Sequence, residues 1–116
     1  MIVKGCEYMF TRYEDFELLE LFWSEAESLT GSVGDGEVSY TRKLENGFEL
    51  TLFIHAYRLK CGVFVLYNDE DIFSATLTNV LSIEKSEKTL IFKDENKEIA
   101  SIYFGNIFKV RVNDME

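Results

Sequence analysis

From residue 37 to the end of the chain, apolar and polar residues mostly change places at every second position, whereas between residues 14 and 29 apolar residues recur at helical spacing. A period of two belongs to a strand with one buried face, and a period of about 3.6 to a helix with one buried stripe. The chain is thus read as one helix followed by strands.

The alternation is cleanest at residues 37–57. Val38, Tyr40, Arg42 and Leu44 alternate with polar neighbours, Glu45-Asn46-Gly47 supplies an Asn-Gly turn, and Phe48, Leu50, Leu52, Ile54 and Ala56 form one apolar face. This is the pattern of a β-hairpin. CGVFVLY at 61–67 is a short apolar strand, and Asn68-Asp69-Glu70-Asp71 turns the chain. IFSATLTNVLSIE at 72–84 begins with alternation and shifts parity near Asn79, the signature of a bulge or corner. Residues 85–88 read as a turn, TLIFK at 89–93 as a strand, 94–97 as a turn, and EIASIYF and IFKVRV as two last strands around Gly105-Asn106. A short strand is also expected at residues 7–11.

Residues 14–29 read as a helix, with acids in the first turn and Gly31 just past the last apolar residue. At about 100° per residue, Phe16, Leu18, Leu19, Phe22, Trp23, Ala26 and Leu29 share one arc wide enough to face a core, which makes Trp23 a packing residue. Leu21 falls on the opposite face, in a row with Glu14, Glu17, Glu25 and Ser28. The resulting fold class is α+β: a mostly antiparallel sheet or partly closed barrel of about seven or eight short strands, with one N-terminal amphipathic helix.

Composition fits this picture. A chain of 116 residues with 47% hydrophobic residues suits a single domain spanning 1–116, with apolar surface enough to offset the entropy of ordering. No apolar run has the length of a signal peptide or a bilayer span, so a cytoplasmic protein without membrane contact is expected. Proline is absent, so strand edges must be protected by charge or by coverage. Lys and Glu in the last hairpins can do that.

Charge adds a functional hint. The net charge is -9, and the interval between Arg12 and Arg42 holds no Lys, Arg or His. It carries Glu14, Asp15, Glu17, Glu20, Glu25, Glu27, Asp35 and Glu37, leaving the rest of the chain nearly neutral. Phosphate contacts need cations, so direct nucleic-acid binding there is disfavoured and a basic protein is the natural opposite. Surplus acid also serves plain solubility, but a solubility surface normally mixes both signs. An apolar residue ringed by like charges, as Leu21 is in this reading, is how an interface sets a desolvated anchor in a steering field. The expected contact set is Glu14, Glu17, Glu20, Leu21, Glu25, Ser28, Asp35 and Glu37.

Catalytic and metal chemistry find little support. Cys6, Cys61 and the single His55 match no zinc spacing, and a structural zinc site needs about four such ligands; neither a metal, a disulfide nor a cofactor is expected. The three glycines of GSVGDGE, residues 31–37, lack the order of a phosphate-binding loop, and Asp35 would repel a phosphate. His55 shares a strand face with Glu49, but six residues of strand place them about 20 Å apart. Cys61 could approach His55 across a hairpin and form a nucleophilic pair; the competing reading is a half-buried histidine on a mixed sheet face. No GxSxG, HExxH or Walker pattern occurs, and the chain is read as non-enzymatic.

The charged N-terminal helix followed by GFELTLFIHAY, VFVLY and IFSATLTNVLSIE resembles the small β-rich immunity proteins of bacterial polymorphic-toxin and contact-dependent growth inhibition systems, over residues 14–112. The likeness is one of pattern, so it assigns no role to a numbered residue. It implies an inhibitor, without catalysis of its own, that binds one cognate toxin domain, often a basic nuclease. The rival readings are a small-ligand-binding β-barrel and a regulatory subunit of another cytoplasmic complex.

Overall fold

The computed structural model of the chain describes residues 10–31, 35–95 and 97–113. Among them, one helix, α1 (Asp15–Phe22), precedes β1 (Glu27–Ser28), β2 (Glu37–Lys43), β3 (Phe48–His55), β4 (Lys60–Tyr67), β5 (Glu70–Thr78), β6 (Ser82–Ser86), β7 (Thr89–Lys93), β8 (Glu98–Phe104) and β9 (Phe108–Val112). The strands form two antiparallel sheets, ordered β1-β2-β3-β4-β5 and β6-β7-β8-β9. The class is α+β, and neither sheet closes into a barrel. Of the strand expected at 7–11, residues 7–9 lie outside the described residues; next to it, Arg12 makes an isolated parallel bridge to Ser82.

Turn chemistry sets the register. Gly47 takes φ +102, a region open to glycine, and the Asn46 side chain accepts the Phe48 N–H to close the β2–β3 hairpin. Between β4 and β5 the turn is two residues rather than four: Asn68 and Asp69 both have positive φ, while Glu70 and Asp71 already pair with Tyr67 and Leu66. The parity shift near Asn79 is a corner between sheets. Asn79 has φ 58, the Val80 N–H donates to the Leu59 carbonyl of the first sheet's β3–β4 connection, and the Leu81 N–H donates to Lys93 in the second.

The inward faces of both sheets and one face of α1 join in a single apolar cluster, with Leu50, Leu52 and Ile54 from β3, Val63 and Val65 from β4, Leu90 and Phe92 from β7, and Ile102 and Phe104 from β8. Phe22 reaches both sheets, its ring 5.4 Å from Tyr40 and 5.1 Å from Phe104 between centroids.

The helix departs from its expected form. It stops at Phe22, because Trp23 turns left-handed at φ 61 and its N–H closes onto the Leu19 carbonyl. Ala26 and Leu29 therefore have no helical angle, and the arc drawn through them is not a helix face. Within the eight residues that remain, Leu18, Leu21 and Phe22 lie within about 100° of one another, and these three are buried. Leu21, expected on the surface, is only 4% exposed. Phe16 and Trp23, expected inside, are 58% and 74% exposed, and Leu19 and Leu29 are exposed with them.

Candidate protein interface

α1 presents two apolar faces. One carries Leu18, Leu21 and Phe22 into the core; the other carries Phe16 and Leu19 outward, with Trp23 at its end. Phe16, Leu19, Asp15, Glu25, Ala26 and Tyr40 line a groove of about 320 Å³ on that outer side. The mouth is apolar and the rim acidic.

Two contacts from β2 hold the helix in place. The Tyr40 ring is buried, and its hydroxyl donates to the Asp15 carboxylate at 2.5 Å. Burial, with that carboxylate alongside, pushes the Tyr40 hydroxyl well above the usual phenol range. At the other end α1 has no basic residue of its own in its last turn, and Arg42 supplies one: its Nη1 donates to the Leu21 carbonyl at 2.8 Å. This answers an orphan carbonyl and the negative end of the helix dipole together. The Arg42 guanidinium also sits over the Trp23 ring, 3.6 Å from its centroid, and so fixes an indole that is largely in solvent.

The expected acidic contact residues divide once side-chain partners are followed. Glu14, Glu20, Glu25 and Asp35 are exposed, and Glu17, Ser28 and Glu37 are half-buried. Glu20 pairs with Lys85 Nζ at 3.2 Å, and Glu17 accepts the Lys85 N–H, so β6 draws two helix carboxylates towards itself. Asp35 accepts the Thr30 hydroxyl at 2.8 Å, and Ser28 Oγ accepts the Thr30 and Gly31 N–H groups. Glu14 and Glu25 have no ion-pair partner among the described residues. Leu21 does not join them, being in the core.

Glu37 belongs to a different group, on the outer face of the five-stranded sheet. It stands opposite His55 in the β2–β3 register; its Oε1 lies 2.5 Å from His55 Nδ1 and 3.4 Å from Arg58 Nη2. The hydrogen bond from His55, together with that from Arg58, holds the Glu37 carboxyl below the ordinary glutamate range. Cys61 is not part of this group. It pairs with Ile54, one register position from the His55–Lys60 pair, so it points to the core and is fully buried. Burial pushes its thiol up to about 12, the reverse of what an activated nucleophile needs. The histidine is a hydrogen-bond partner of Glu37 on a mixed face, and the Cys61–His55 nucleophile is not assembled. Among the described residues, no group of three His, Cys, Asp or Glu side chains is placed to hold a metal ion.

The apolar patch of Phe16, Leu19 and Trp23 is the part of this surface that the sequence reading missed. A signal was present, since five of the eight residues of α1 are large and apolar, more than one core-facing stripe of so short a helix requires.

No protein-family model matches the chain. No curated protein matches it either. Among solved structures, one chain aligns with a TM-score of 0.72 at 17% identity, covering 90% of this chain and 96% of its own length. It belongs to a contact-dependent growth inhibition toxin–immunity protein complex from Klebsiella pneumoniae 342. The likeness is one of fold. It runs over nearly the whole of the Klebsiella chain. No helix among the described residues is long and apolar enough to cross a membrane.

Proposed function

We propose that the protein is an immunity protein that binds and neutralises a cognate basic toxin domain of the nuclease class, and has no catalysis of its own. The observation that carries this reading is the outer face of α1, where Phe16, Leu19 and Trp23 stand in solvent and the first two line a groove with the carboxylates Asp15 and Glu25. Large side chains held out of the core are the anchors that dominate binding energy once water is excluded around them. The carboxylates contribute mainly to encounter and orientation, because screened surface charges add little to the bound state. Phe16, Leu19 and Trp23 thus take the anchoring part first expected of Leu21, while Glu14, Glu20, Glu25 and Asp35 contribute to the negative steering field. Sharing a fold with a chain of a toxin–immunity complex supports the same reading. The protein would act in the cytoplasm, where an incoming toxin domain has its target.

The decisive experiment is co-expression with the carboxy-terminal domain of the protein encoded immediately upstream. Growth is rescued by the wild-type chain and lost with F16A/W23A at unchanged folding. Equal rescue by that double variant would remove α1 from the interface, and no rescue by the wild type would end the immunity reading.

A further inference from the structure

Each sheet has two edges, and three of the four are covered or charged. β2 is overlaid by residues 24–29, through β1, the Ser24 hydroxyl on the Thr41 carbonyl, and the Leu29 N–H on the Glu37 carbonyl. β6 is overlaid by Arg12, which exchanges backbone hydrogen bonds with Leu81 and Ile83. β9 shows Lys109 and Arg111 to solvent. β5 is uncovered, and its only two charges, Glu70 and Asp71, sit at one end. Among the described residues nothing lies beyond it in its sheet, it is nine residues long, and it contains neither Lys, Arg nor Pro. Its bulge falls at Ile72, near one end, and leaves Phe73–Thr78 in unbroken register with β4. Ile72 is 53% exposed and Phe73 37%. A long, partly apolar edge in continuous register is what soluble proteins usually avoid, because it templates the pairing of another strand.

We propose that β5 is a second docking surface, which accepts an extended segment of the cationic partner as a sixth strand. The inference rests on the reading that the partner is a basic protein. Backbone hydrogen bonds along Phe73–Thr78 would give affinity, and Ile72 and Phe73 would be covered. Orientation follows from charge: Glu70 and Asp71 lie at one end, while Lys60 stands beside Thr78 at the other. The segment's Lys or Arg residues therefore belong at the Glu70–Asp71 end. A second copy of this chain is the poorer occupant, because each copy carries a net charge of -9.

The test uses the full chain and a blocked peptide, Lys-Arg-Val-Thr-Val-Thr-Val, followed by amide hydrogen exchange over residues 70–78. The peptide should slow exchange there by about tenfold, whereas the same peptide N-methylated at alternate amides should have no effect. S74K/T76K places cations on exposed positions of the edge and should abolish the protection, while S74E/T76E should retain or strengthen it. F16A/W23A should leave it unchanged. Protection that survives N-methylation, or that survives S74K/T76K, would overturn the proposal; so would a β5 edge already protected in a dimer of the free protein. The two readings fail separately: toxin binding lost in S74K/T76K but kept in F16A/W23A removes α1 and keeps β5, and the reverse removes β5.

Discussion

Arg42 reaches from β2 to the end of α1, its Nη1 on the Leu21 carbonyl and its guanidinium over the Trp23 ring. One side chain thereby caps the helix and holds the exposed indole. Trp23 is the only tryptophan, so its fluorescence reports on this contact alone. In R42A the indole should gain local motion, seen as a faster depolarisation component, and the lost charged hydrogen bond should cost about 1.5–3 kcal/mol in urea unfolding. R42K should recover only part of either, since an ammonium lacks the planar fork.

Leu21 and Phe16 share a helix but face opposite ways. L21A should cost about 2–5 kcal/mol by opening a cavity beneath α1, whereas F16A should change stability by no more than about 0.5 kcal/mol. Chemical denaturation separates them. Similar losses for both would mean that the helix packs in a different rotation.

In a Cys6→Ser background, Cys61 is the remaining thiol. With its pKa pushed up to about 12, only about one thiol in ten thousand is ionised at pH 8. Alkylation by iodoacetamide should be negligible in the folded protein and rapid in denaturant. Fast labelling of the native state would revive the nucleophile reading.

Glu37 gives a pH dependence with a definite sign. Its carboxyl titrates lower in the folded chain than in the unfolded one, so its contribution is present above the unfolded value of about 4.3 and is lost as pH falls through the folded value. The stability gap between wild type and E37Q should therefore close on acidification from pH 5.5 to pH 3. A gap that widened would place the His55 contact elsewhere.

Association with the toxin domain should slow as ionic strength rises, with the dissociation rate much less affected. Amide substitution of Glu14, Glu20 and Glu25 should flatten that dependence. A steep salt effect on the dissociation rate alone would argue against long-range steering.

The strands were legible because alternation, an Asn-Gly pair and a parity shift are local signals, and local signals marked the β2–β3 hairpin and the corner at Asn79, though not the two-residue turn between β4 and β5. The helix was legible only in part. Its start was marked by acids, but its end depended on Trp23 adopting a left-handed backbone, for which the chain carries no glycine or asparagine cue. Seven further residues were thus counted as helix, and the wrong side of α1 was taken for the core. Partners of the acids were invisible for another reason: Lys85 and His55 are separated from them by long stretches of chain that only tertiary packing brings close.

Within each sheet, spatial order repeats chain order, so every ladder joins neighbours in sequence. Each pairing closes only a short loop, which places the molecule among the faster-folding β-rich proteins. With no proline in the chain, refolding has no prolyl isomerisation to wait for. The non-local event is the meeting of the two meanders across the corner at Asn79, where their inward faces join one core.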